Sequence, residues 1–289
     1  MRFAVWPSYE RSWDEVLALA QWAEHTGFDG FWYADHFMPD TQTETPGEGP
    51  AFECWTMLAA VGALVPRVTL TSMVSPVSIH HPVVLAKRVA TVDHITGGRA
   101  VLGIGAGWQI NEHAVYGFEL PAPGERVSRF ERAIETIHGL LHDPAVPFDP
   151  RPEQLEILVG TGSPRMMGIT ARWADVWNTW GHPEQIRTRT AMFVQACERV
   201  GRDPGTVRRS AQGLVFLTDD PAAADRLRDM APADRSLIGG AQQLVDLFGE
   251  YVEAGVDEFA IPDFTLGRTP AERADTYARL HDEVLSAFR

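Results

Sequence analysis

Short apolar runs alternate with helix-patterned stretches along the whole chain, and this alternation limits the possible folds more than any other feature. "FAVW" (Phe3–Trp6) precedes "SWDEVLALAQWAEHTG", whose apolar residues recur at helical spacing. Ser12 and Glu15 form a capping-box pattern at its start, and Gly27 offers a stop. The scheme repeats with "GFWYA" before "ECWTMLAAVGALV", "VTLTSMV" before "HPVVLAKRVATVDHI" and "RAVLGIG" before "RVSRFERAIETIHGLL". It continues with "EILVG" before "SPRMMGITARWA", "DVWNTW" before "PEQIRTRTAMFVQACERVG", and "RRSAQGLVFL" before "AQQLVDLFGEYVEAG". "EFAIPD" and "TPAERADTYARLHDEVLSAF", with a second capping box at Thr269 and Glu272, close the chain.

Strands that alternate with amphipathic helices imply a parallel sheet. About eight such units in 289 residues are the pattern of an α/β (β/α)8 TIM barrel, which usually takes ~250 residues. A doubly wound open sheet is the alternative. No linker or shift of composition divides the chain, so residues 1–289 are expected to form a single barrel domain. The loosest stretches are Met38–Pro50, Asp143–Pro152 and Asp219–Gly240. The first follows the second strand, which makes it a lid candidate.

Composition narrows the partners. A formal net charge of −14 disfavours nucleic acid and anionic membranes, and leaves a small-molecule substrate as the expected partner. The two cysteines, Cys54 and Cys197, form no CxxC and suit a reducing compartment. With no signal-peptide pattern and no run of about 18 apolar residues, the expected location is the cytoplasm.

In such a barrel, residues at the C-terminal ends of strands face the active site. Those ends carry Trp6, Asp35–His36, Ser72–Ser75, Gly103–Trp108, Gly160–Ser163, Trp177–Trp180 and Ile261–Asp263. The run "FWYADHFM" (Phe31–Met38) delivers an acid and an imidazole together at one of them. His36 can serve as an acid–base group near neutral pH, with Asp35 positioning it or a cofactor. The plainer reading is two solvated residues opening a loop.

"GIGAGW" (Gly103–Trp108) lacks the third glycine of a dinucleotide fingerprint, because Trp108 stands there. Its glycines, Gly107 included, can still let a ligand ring approach the backbone, with Trp108 as a wall. A tight turn is the other explanation. "GTGSPRM" reads better as an anion cradle. Gly160, Thr161 and Gly162 expose amides, Ser163 adds a hydroxyl at a helix start, and Arg165 adds charge. An unliganded helix cap has the same appearance.

His138 and His142 sit four residues apart, but beside a helix C-terminus, where imidazoles are favoured without any metal. His80 and His81 are adjacent, a poor ligand geometry. With neither GxSxG nor HExxH present, hydrolase and zinc readings lack support, and no metal site is expected.

"GFDGFWYADHF", "TSMVSPVSIHHPVVLAKRVATVDHITGGRAVLGIGAGWQINEHAVYGF" and "EILVGTGSPRMMGITARWADVWN" together resemble the luciferase-like monooxygenase superfamily, and within it the F420-dependent oxidoreductase branch. The resemblance covers most of the chain and is densest from Gly27 to Leu141. It implies a barrel, often dimeric, that holds the deazaflavin F420 or flavin mononucleotide (FMN) at its C-terminal face. It assigns Asp35 and His36 to the cofactor and hydride site, and a bulge with a cis peptide to Ser72–Met73. Asn111 is assigned to the cofactor head, and Gly162 and Ser163 to the phosphate loop. It departs from the sugar-phosphate dehydrogenases of the branch at Trp108, which occupies the place of their acidic residue. The implied activity is hydride transfer between F420 and an organic substrate. An FMN-dependent monooxygenase using oxygen is the alternative.

Overall fold

The computed structural model describes all residues from Met1 to Arg289. In the first half of the chain the strands are β1 (Arg2–Trp6), β2 (Gly30–Tyr33), β3 (Thr69–Ser72), β4 (Ser75–Pro76) and β5 (Ala100–Gly105). In the second half they are β6 (Glu156–Gly160), β7 (Val176–Trp180), β8 (Arg208–Gln212), β9 (Leu214–Leu217), β10 (Ser236–Gly239) and β11 (Glu258–Pro262). The helices are α1 (Trp13–Thr26), α2 (Cys54–Leu64), α3 (Pro82–Thr96), α4 (Ile110–Tyr116), α5 (Pro123–His142) and α6 (Pro164–Trp173). They continue with α7 (Pro183–Val200), α8 (Pro221–Met230), α9 (Ala241–Glu253) and α10 (Pro270–Glu283).

The strands run parallel in the order β3-β2-β1-β11-β8-β7-β6-β5-β4, and pairing of β3 with β5 closes the sheet into a barrel. The period of two sorts its side chains. Phe3, Val5, Phe31, Tyr33, Leu102 and Ile104 point outward into a large cluster shared with the helices. Ala4, Trp6, Trp32, Ala34, Val101 and Leu158 fill a separate cluster inside the barrel. Helix boundaries follow their local signals. α1 begins at Ser12, whose hydroxyl accepts from the Glu15 amide, and stops at Gly27 with φ of 83°. α10 begins with the full capping box at Thr269 and Glu272.

Two stretches differ from the sequence expectation. "RRSAQGLVFL" is two strands rather than one. β8 belongs to the barrel, whereas β9 pairs with β10 in a separate two-stranded sheet. The break falls at Gly213, where a Cβ would meet the Arg235 carbonyl oxygen at 3.2 Å. The stretch Asp219–Gly240, expected to be loose, contains α8 and β10. No helix is long and apolar enough to cross a membrane.

The bulge after strand three is present. Thr71 pairs with Val101 and Ser75 with Ile104, so four steps of chain oppose three on β5. The cis peptide is Met73–Val74, one residue beyond the expected Ser72–Met73. The glycines of β5 make room for this bulge. A Cβ on Gly103 would overlap the Ser72 carbonyl oxygen, and one on Gly105 would come within 2.7 Å of Val74. These two glycines therefore fit strand to strand rather than strand to ligand.

Candidate active site

A cavity of about 660 Å³ opens at the C-terminal ends of the strands, a size suited to a cofactor or drug-sized ligand. Barrel closure brings together Trp6 from β1, His36 after β2, Met73 and Val74 from the bulge, and Trp108 after β5. Gly160, Thr161 and Gly162 come from the end of β6, Asn178–Trp180 from β7, Gln212 from β8 and Phe264 from beyond β11.

His36 is held from behind. Its Nδ1 donates to Glu112 Oε1 at 3.1 Å, and Glu112 Oε2 accepts the Phe37 amide at 2.9 Å. Glu112 is 1% exposed, so its charge is desolvated and depends on these donors. The bond fixes the proton of neutral His36 on Nδ1 and leaves Nε2 as the ring nitrogen without a protein partner. Trp108 meets the imidazole edge-on with centroids 5.4 Å apart, and Tyr9 lies 5.5 Å away on another side. Burial, followed by the charge of Glu10, pushes the Tyr9 phenol up to about 12, so it is neutral near pH 7.

Asp35 lies beneath the cavity rather than in it. Its Oδ2 accepts from Ser75 Oγ at 2.6 Å and from His80 Nε2 at 2.8 Å. Arg88 Nη1 in turn lies 3.5 Å from His80 Nδ1 and 3.3 Å from Glu53, which carries the network to the surface. Burial pushes the Asp35 carboxyl up. The charge and hydrogen bond of His80, with the Ser75 hydroxyl, more than offset this, and the net shift is downward. Asp35 therefore stays ionised deep in the barrel and braces the strand end that carries His36.

Other expected site residues are distributed unevenly. Met73, Trp108, Gly160, Thr161 and Gly162 line the cavity. Ser72 is buried, and its hydroxyl donates to the Gly103 carbonyl at 2.9 Å. Gly107 adopts φ of 88° and turns the chain toward Trp108. Ser163 is the exposed N-cap residue of α6 and lies outside the lining.

Two further expected residues lie outside the lining. Asn111 is fully buried behind the site, with Nδ2 donating to the Pro39 carbonyl at 2.7 Å. Arg165 turns away to the Gly124 carbonyl and the Ser128 hydroxyl. The cation beside the cradle is Arg189 of α7, whose Nε would lie 3.5 Å from a Cβ on Gly162. Sequence reasoning also missed Glu112, His80 and Gln212. Glu112 stands next to Asn111 in "QINEH", and Gln212 precedes the glycine that breaks the strand.

The comparisons with known proteins agree with this architecture. The sequence model of the luciferase-like monooxygenase family matches residues 1–235. The chain belongs to this family. An F420-dependent glucose-6-phosphate dehydrogenase of Kineococcus radiotolerans is 32% identical over 236 residues, covering 75% of this chain and 68% of that protein. An F420-dependent hydroxymycolic acid dehydrogenase of Mycobacterium tuberculosis is 27% identical, covering 73% of this chain and 61% of that protein. Among solved structures, a monooxygenase of Streptomyces bottropensis superposes over the full length of both chains with a TM-score of 0.80 and 20% identity. An F420-dependent secondary alcohol dehydrogenase in complex with an F420-acetone adduct gives 0.79 with 17% identity, covering 90% of this chain and 92% of that one. These structural likenesses concern the fold.

Proposed function

We propose that this luciferase-like protein is an oxidoreductase that moves a hydride between coenzyme F420 and an organic substrate. The supporting observation is His36, held by Glu112 with Nε2 unpaired at the edge of a cavity that also has a bulge and an anion cradle. F420-dependent relatives add weight.

The residues present fit such a group. Met73 and Val74 offer an apolar backing for a flat ring, and Gln109 Oε1 and Asn178 Oδ1 are buried without partners where the edge of a heterocycle can meet them. Gly160–Gly162, with Arg189 alongside, would hold a phosphate at the start of α6. Bound F420 supplies the redox chemistry. The protein orients the ring, excludes water and, through His36 Nε2, gives or takes the proton that accompanies the hydride. Glu112 keeps that nitrogen in the right tautomer. The role of Asp35 is to position this strand end.

The reading includes a homodimer. Leu64 of α2 and Val83, Val84 and Ile95 of α3 are exposed, an apolar set suited to a second copy. Sedimentation should give twice the chain mass, and charged substitutions at Val84 and Ile95 should halve it.

Titration of the full chain with F420 and with FMN tests the cofactor. Saturable binding of F420, weakened by Gly162→Val in a protein that still folds, is the expected result. Binding of FMN alone, with oxygen consumed during turnover, would replace this reading with a monooxygenase.

A further inference from the structure

The part of the cavity lined by Trp6, Trp180, Gln212 and Phe264 has its own chemistry. Trp6 stands 5.2 Å from Phe264 and 6.0 Å from Trp180, centroid to centroid. The Arg235 guanidinium lies 5.7 Å from the Trp180 ring. Between them Gln212 is 1% exposed, and both Nε2 and Oε1 lack a partner, as does Trp6 Nε1. Buried polar groups are nearly always paired, so a free carboxamide and a free indole N–H on a cavity wall point to a ligand that completes them.

Charge identifies one end of that ligand. Arg235 has only the exposed Asp234 carboxylate near it, at 3.7 Å. The only carboxylate that lines the cavity is Asp40, in the loop that follows His36. A cation over an aromatic face, with no buried counter-ion, favours an anion at that end.

Shape identifies the rest. Three aromatic rings offer flat apolar contact, whereas the unpaired groups among them are the Gln212 carboxamide and the Trp6 N–H, with the Asn178 carboxamide oxygen nearer the cradle. A polyol would bury several hydroxyls here without partners, which costs binding energy. A planar ring with a single oxygen substituent would not.

Resting on the F420 reading, which gives the bulge and the cradle to the cofactor, we propose that this wall is the substrate site and takes a flat aromatic or conjugated carboxylate bearing one carbonyl or hydroxyl group. The ring packs against Trp6, Trp180 and Phe264. The carboxylate faces Arg235, and the oxygen substituent meets Gln212 and the Trp6 N–H.

Calorimetry on the full chain, without cofactor, tests the assignment with 6-hydroxy-2-naphthoate and its neutral amide as probes. The acid should bind and quench tryptophan fluorescence, and the amide should bind at least about tenfold more weakly. Arg235→Gln, at a half-exposed position, should remove the difference between acid and amide. Trp180→Ala should weaken both, and glucose 6-phosphate should not compete. Equal affinity for acid and amide, unchanged acid binding in Arg235→Gln, or displacement by glucose 6-phosphate would each overturn the proposal. A parallel titration read by the fluorescence of F420 separates the two readings. F420 bound with no naphthoate bound rejects the substrate class alone. Naphthoate bound with no F420 bound supports the substrate class and rejects the cofactor.

Discussion

The two walls of the cavity differ in whether they carry buried charge. On the β2–β5 side, buried charges are paired before any ligand arrives: Asp35 with His80 and Ser75, Glu112 with His36 and the Phe37 amide. On the β1–β7–β8 side no buried ion pair lines the cavity, and neutral groups such as Gln212, the Asn178 carboxamide oxygen and the Trp6 N–H are left open. An unpaired charge in a protein interior is far more costly than an unpaired amide, so only neutral groups can be left open in this way. The first wall therefore holds its charges in place before any ligand arrives, as the proposed proton transfer requires, and the second keeps neutral groups free for the proposed substrate.

The largest expected effect breaks the first wall. His80→Ala leaves the Asp35 carboxylate buried with Ser75 as its remaining side-chain donor. Loss of one member of a buried pair typically costs about 3–5 kcal/mol. Urea unfolding should show that loss. A change under about 1 kcal/mol would mean that the pair does not hold this wall.

His36→Ala should lower turnover by about 10²-fold or more with folding intact, the usual contribution of a general acid–base group. Steady-state rates check this, and unchanged turnover would remove His36 from the chemistry.

Glu112→Gln is milder. The amide can donate to Nδ1 and move the imidazole proton to Nε2, so kcat should fall by roughly tenfold to a hundredfold. KM and cofactor affinity should change little. A loss confined to KM would instead put Glu112 on the binding side of the comparison.

The smallest effect concerns Asp35 and pH. Its folded-state carboxyl titrates below its ordinary value, so its contribution is complete above the unfolded value of about 4 and is lost as pH falls through the lower, folded value. Asp35→Asn should cost about 1 kcal/mol near neutral pH, and the gap from wild type should close on acidification below about pH 4. A gap that stays constant into acid would show that Asp35 does not contribute through its charge.

Much of the barrel was legible because its signals are local. Ser12 and Gly27 bound α1, and "FWYADHFM" announced a strand end that carries an acid and an imidazole. The misreadings also had local causes. Apolar character runs from Ala211 through Gly213 to Leu217, so pattern alone merged β8 with β9 and hid Gln212 inside a longer strand. The helix start at Ser163 is legible locally, but which arginine stands beside the cradle is not, because Arg165 and Arg189 come from different helices.

By itself, the sequence determined the alternation of strand and helix, hence a parallel sheet of the barrel pattern, and the presence of Asp35 and His36 at the end of one strand; the β3–β5 pairing closed it. Periodicity reports only what a residue's near neighbours require. Tertiary structure alone decided that Glu112, 76 residues away, holds His36, and that His80, 45 residues away, holds Asp35. It also decided that Gly103 and Gly105 make room for a bulge rather than a ligand. Those choices arise when eight strands converge on one mouth, because the closed ring, rather than the local pattern, determines which side chains meet.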